Sequence, residues 1–128
     1  DKFRRCCIVS ASPPCILEQA VMQADKLDNK LLFETITSIF VAPVLKEPRC
    51  TTIILGAWGC GSRYGLPATK IATLFAQALV RTLPEIDVCL GKLYHEVHFA
   101  IPGEKSEGSN YWNFHKVLSQ SGIHVEEL

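Results

Sequence analysis

Gly56, Gly59, Gly61 and Gly65 punctuate the stretch Thr51 to Pro67, TTIILGAWGCGSRYGLP. Glycines this dense after an apolar β-branched run suit one chemistry above others, the holding of an anion by the main chain. Lacking a Cβ, they let backbone N–H groups approach a phosphate closely, and a helix that starts just beyond adds a partial positive charge. The spacing is neither a Walker A loop, which needs Gly-Lys-Ser/Thr, nor a dinucleotide-binding G-x-G-x-x-G. Between the glycines, Ala57, Cys60 and Ser62 complete the loop. Trp58 and Tyr64 have faces that could stack on a ribose or base, and Arg63 could pair with a phosphate. The competing reading is a tight strand-to-helix connection. There the glycines serve packing, the two aromatics fill the rim and Arg63 is solvated.

Other reactive residues are less promising. Cys60 would need a neighbouring base and a lowered pKa to act as a nucleophile, and no partner is placed by sequence, so a structural role is expected. His95-Glu96-Val97-His98 resembles a metal motif, but its histidines are three apart in an expected strand, where side chains alternate between faces. No metal site and no cofactor are expected. His115 and His124 are isolated. Glu104 and Glu107 fall in a polar loop and Glu126-Glu127 in a solvated tail, so no catalytic residue is assigned.

The elements that would position the loop follow from periodicity. Cys6 to Ser10 reads as a buried strand, broken by Ser12-Pro13-Pro14. Cys15 to Lys26 has helical composition. Leu31 to Leu45 is a stronger helix through Leu32, Ile36, Ile39 and Phe40, with Pro43 expected to end or bend it. Thr51 to Leu55 is a second buried strand. Pro67 opens a helix whose stripe is Ile71, Leu74, Phe75, Ala78 and Leu79, stopped by Leu83-Pro84. Tyr94 to Ile101 is a third strand, Tyr111 to Ser121 a last helix with Gly122 as C-cap, and Ile123 to Val125 a short edge strand. Alternating strands and helices imply parallel strands joined by right-handed crossovers. Ligands then sit beyond the strands' carboxyl ends, where the loops Ala11 to Cys15, Gly56 to Leu66 and Pro102 to Asn110 share a rim.

With 128 residues, 48% hydrophobic and 20% charged, the chain is one domain (1–128) with a core of its own. Thirteen basic residues balance thirteen acidic ones, which disfavours direct DNA binding. No apolar run approaches a membrane span, and no signal-peptide pattern opens the chain. The six cysteines include no C-x-x-C. Reduced thiols in an intracellular compartment, cytoplasmic or nuclear, are expected.

Ile53-Ile54-Leu55-Gly56-Ala57-Trp58-Gly59-Cys60-Gly61, followed by Pro67, resembles the microbial-type poly(ADP-ribose) glycohydrolases, which have a macrodomain fold. The order around the motif is also similar: Ser10-Ala11-Ser12-Pro13 upstream, Ile71-Ala72 and Phe75 after it, then Val97 to Ile101, Asn110 and Phe114. The resemblance implies a three-layer α/β/α macrodomain with a mainly parallel or mixed sheet, of which this chain is the C-terminal portion. It implies that Gly56 to Gly65 contacts the diphosphate and ribose of ADP-ribose or poly(ADP-ribose). The family's triple glycine and paired glutamates would lie before Asp1, so this chain alone is expected to be inactive. A missing N-terminal half or a partner chain would cover a sheet edge. The loop departs from the family at Arg63, where an aromatic is common, and Tyr64-Gly65-x-Pro67 is similar to the phosphate loop of ordinary macrodomains. The alternative is a non-catalytic module that binds ADP-ribose or protein.

Overall fold

The structure, a computed structural model, describes residues 6–13 and 29–127. The helix expected over Cys15 to Lys26 lies outside them. Helix α1 (Asn29–Lys46) buries Leu32, Ile36, Ile39, Phe40 and Pro43, a stripe at helical spacing. Pro43 does not end this helix, which runs on to Lys46. So near the C-terminus the missing proline amide removes a single ladder bond, and the ring is used as core. Glu47 N donates to Pro43 O at 2.8 Å and closes the last turn. Close by, the buried Tyr94 hydroxyl donates to Phe40 O at 2.6 Å.

Strand β1 (Thr52–Leu55) runs parallel to the strand Glu96–Phe99 with Ile53 beside Val97 and Leu55 beside Phe99. These four side chains face the helices. Thr52, Ile54, Glu96 and His98 share the other face, where Ile54 is 70% exposed. Between the paired strands runs helix α2 (Ala68–Leu79), burying Ile71, Ala72, Leu74, Phe75 and Ala78. A small hairpin follows, β2 (Thr82–Leu83) antiparallel to β3 (Val88–Cys89), then a 3-10 turn over Leu90–Leu93, and Glu96–Phe99 becomes β4. Helix α3 (Asn110–Gln120) closes the order, and Ser109 caps it by accepting from Trp112 N.

One aromatic cluster joins these layers. The Phe75 ring sits 6.1 Å from Phe40 of α1, 5.3 Å from Phe99 of β4 and 6.1 Å from Phe114 of α3. Edge-on ring contacts of this kind add to the burial of apolar area. The expected mixed α/β class with a parallel, helix-connected strand pair is what the chain adopts.

Several expectations are corrected. Cys6 to Ser10 is exposed and irregular, not a buried strand, and Ile8 is 89% exposed. Ile123 to Val125 forms no strand. Among the described residues the parallel sheet therefore has two strands, and helices cover one face only. Pro67 is the N-cap of α2, one position before the helix. The hairpin after α2 was not anticipated; its turn places Asp87 at φ 50, a conformation aspartate tolerates better than most residues. No helix among the described residues is long and apolar enough to cross a membrane.

Candidate functional site

The glycine loop leaves the carboxyl end of β1 and meets the other rim segments. Trp58 Nε1 donates to Ala11 O at 2.9 Å, and Asn110 Nδ2 at the start of α3 donates to Cys60 O at 3.1 Å. Thr69 Oγ1 in the first turn of α2 lies 3.3 Å from Asn113 Oδ1 of α3. The loop is thus tied on both sides by polar groups the sequence separates by many residues. Trp58 and Cys60 are half-buried and pack on the core, so the indole edge is committed to the Ala11 carbonyl and its ring to rim packing.

Gly59 requires its glycine. It has φ +75, and a Cβ there would stand 2.3 Å from Leu66 Cδ1 and 3.0 Å from the Pro13 side chain. Gly61 is the opposite case: nothing lies within 4 Å of a Cβ built on it. The main-chain amides divide in the same way. Trp58 N donates to Gly56 O, Cys60 N to Ala57 O, and Leu66 N to Gly59 O, at 2.8–3.0 Å. Tyr64 N and Gly65 N both reach Gly61 O. These amides are turned into the loop, contrary to the expectation that donors around Cys60 converge outward. The amides of Gly61 and Ser62 have no such bond among the described residues, and both residues are exposed. They sit in a turn that leads to the N-terminus of α2, where no side chain caps the first-turn amides.

Arg63 lies over the Tyr64 ring, 5.7 Å from its centroid, so both side chains contact each other across the turn. The Cys60 thiol donates weakly to Trp58 O at 3.6 Å, and burial pushes its pKa up to about 11. At neutral pH it remains a thiol, which fits the structural role and no nucleophilic one.

His98 and Glu96 contact each other at 2.9 Å on the open face of the sheet. Among the described residues no cluster of histidine, cysteine and carboxylate is arranged to hold a metal. Glu104 and Glu107 are exposed in the 102–109 loop.

Two clefts open at the flanks of the strand pair, and the Gly56–Gly65 loop lines neither. One, of about 560 Å³, runs between β4, α3 and the segment 123–127. In it Glu127 accepts from Lys105 Nζ at 2.6 Å and Tyr111 OH at 2.7 Å, with His115 Nε2 at 3.3 Å. These donors hold the Glu127 carboxyl below its ordinary range, and the Glu127 carboxylate in turn raises Lys105 and Tyr111. The other cleft, of about 1130 Å³, separates Cys6, Cys7 and Val9 from Thr51–Leu55. Neither cluster carried a sequence signal, because each joins residues far apart in the chain.

The chain matches no family model, no curated protein and no solved structure.

Proposed function

We propose that this chain is the ADP-ribose-binding part of a macrodomain-like protein related to poly(ADP-ribose) glycohydrolases. The turn at Gly61-Ser62 and the start of α2 receive the diphosphate. The observation that carries this reading is the uncapped N-terminus of a 12-residue helix directly behind a turn with open space at Gly61. A helix start of this kind attracts a doubly charged diphosphate through its amides and dipole. Arg63, on the same turn, supplies charge. The half-buried Trp58 and Cys60 carbonyl, held by Ala11 and Asn110, form the fixed side of the loop.

Cleavage of a ribosidic bond needs an acid at the leaving oxygen and stabilisation of an oxocarbenium-like centre. Glu104 and Glu107 are exposed in the 102–109 loop, and among the described residues no hydrogen bond or ion pair holds them against the turn. In this reading the chain binds and does not cleave, and the parent protein supplies the carboxylates.

Calorimetry with ADP-ribose on the folded chain tests the reading. Binding that falls at least tenfold in Gly61→Trp, with the melting temperature unchanged, supports it. No heat from a folded sample overturns it. Equal binding by Gly61→Trp moves the ligand elsewhere and leaves the loop as a packed strand-to-helix connection, the reading that the Gly59 contacts favour.

A further inference from the structure

Away from the glycine loop, the outer edge of β4 has no strand beside it. β4 pairs only with β1 among the described residues, and no main-chain hydrogen bond among them ties the segment 123–127 to it. The segment nevertheless faces that edge, and a cleft of about 560 Å³ lies between the two. Gly122, at φ 75, turns the chain out of α3 and into the segment. Its side chains alternate as they do along an extended strand. Ile123 and Val125 are half-buried against the core, whereas His124 and Glu126 are exposed. Two residues on from Val125, the Glu127 carboxylate enters a cradle of three groups from the 102–109 loop and α3. Lys105 Nζ reaches one oxygen at 2.6 Å, and Tyr111 OH and His115 Nε2 reach the other at 2.7 and 3.3 Å. The cradle has contacts of its own. The Tyr111 and His115 rings stack at 6.0 Å, and the Lys105 ammonium lies 5.5 Å from the Tyr111 ring centroid. The Lys105 side chain is 64% exposed, so a carboxylate from outside can reach the same donors.

We propose that this cleft binds an extended peptide carrying apolar side chains at alternate positions and an acidic one two residues further on, and that residues 123–127 are its built-in competitor. The peptide's main chain pairs with the free edge of Glu96–Phe99. Its apolar side chains meet Phe99, Phe114 and Leu118, which line the cleft. Its carboxylate takes the place of Glu127 on Lys105, Tyr111 and His115. A strand added to an open edge gains main-chain hydrogen bonds that 123–127 do not make, and pockets at every second position select its sequence. The acidic residue is required because a carboxylate forms charge-assisted bonds in this cradle, whereas a neutral side chain leaves Lys105 without its counter-charge. The tether holds Glu127 at an effective concentration on the order of millimolar, so the wild-type chain takes an external peptide weakly, and removing the Glu127 charge opens the site. This site is separate from the Gly61-Ser62 turn and does not depend on what that turn binds.

The probe is a fluorescent synthetic peptide with the sequence of residues 122–127, amidated so that only its glutamate side chains are acidic. Its anisotropy is titrated with the whole chain as wild type, as Glu127→Gln, and as Glu127→Gln combined with Lys105→Ala, each first shown to be folded by its melting curve. Glu127→Gln is expected to bind the peptide at least about tenfold more tightly than the wild type. Adding Lys105→Ala, or replacing both peptide glutamates with glutamine, is expected to remove at least about tenfold of that affinity. Amide exchange at Glu96–Phe99 slows in the complex. No binding by folded Glu127→Gln, equal binding by wild type and Glu127→Gln, affinity indifferent to Lys105 or to the peptide's charge, or unaltered exchange at β4 each overturns the proposal. A wild-type chain that sediments as a dimer through exchanged 123–127 segments assigns the cleft to a second copy and overturns it as well.

Discussion

The two flanks of the β1–β4 pair are covered by chain segments that do not hydrogen-bond to the strands as further strands, yet they are held by different forces. Beside β1, Cys6, Cys7 and Val9 line a wide cleft, with Ile8 and Ile54 left exposed. Beside β4, residues 123–127 approach through charge, with the Glu127 carboxylate gripped by Lys105 and Tyr111. The first contact is short-ranged and indifferent to salt. The second is partly exposed, screened by ions and dependent on protonation. The difference teaches that the β4 edge answers to pH, whereas the β1 edge and the core between them do not.

The largest effect breaks both flanks at once. Phe75 is fully buried and links α1, β4 and α3 through its ring neighbours. Phe75→Ala is expected to cost about 3–5 kcal/mol by denaturant unfolding, with amide exchange at residues 6–9 and 123–127 rising together. If only one flank loosens, the shared core is not what supports the other.

Next comes a contrast between neighbours on one strand. Ile53 faces the helices and is 9% exposed, whereas Ile54 faces the open side at 70%. Ile53→Ala is expected to lose about 2–4 kcal/mol and Ile54→Ala less than about 1 kcal/mol. Equal losses would show that the open face is covered in solution.

Thiol labelling sharpens the comparison with the glycine loop. Burial pushes the Cys60 thiol up to about 11, so it stays protonated at neutral pH, whereas Cys6 and Cys7 are exposed to reagent. Iodoacetamide at neutral pH is therefore expected to alkylate the exposed Cys6 and Cys7 at least tenfold faster than Cys60, followed by peptide mass spectrometry. Comparable rates would mean that the loop opens and that its bonded amides are not permanently engaged.

The smallest effect is confined to the β4 flank. Glu127 has a folded pKa below its unfolded value, so its contribution is present above the ordinary carboxylate range and lost as pH falls through the folded value. Exchange protection over 123–127 should fall between about pH 5 and the folded pKa, while residues 6–9 stay unchanged; Glu127→Gln should remove that pH dependence. A loss that spreads to β1 would refute the independence of the two edges.

Local patterning accounts for much of the architecture. The stripes of α1 and α2 are visible as helical spacing of Leu, Ile and Phe, and β1 and β4 as short apolar runs bounded by Gly and Pro. Their parallel pairing follows because a helix crosses between them. Where pattern and fold disagree, a tertiary contact or its absence is responsible. Cys6 to Ser10 has strand composition, but no neighbour pairs with it among the described residues, and composition cannot supply a ladder partner. Pro43 stays in α1 because a buried site for its ring offsets one lost hydrogen bond. The two-residue hairpin after α2 is too short to carry a periodic signal.

At the candidate site the division is the same. From residue types alone came the glycine loop and the helix start behind it. Only folding decided that Gly59 is spent on Leu66 and Pro13, that the Cys60 amide turns inward, and that Gly61 looks outward. Folding alone also placed Cys7 and Cys50 around one cleft and brought Glu127 to Lys105. Periodicity is a property of neighbours along the chain, whereas hydrogen-bond direction and thiol or charge contact depend on distances between segments far apart in it.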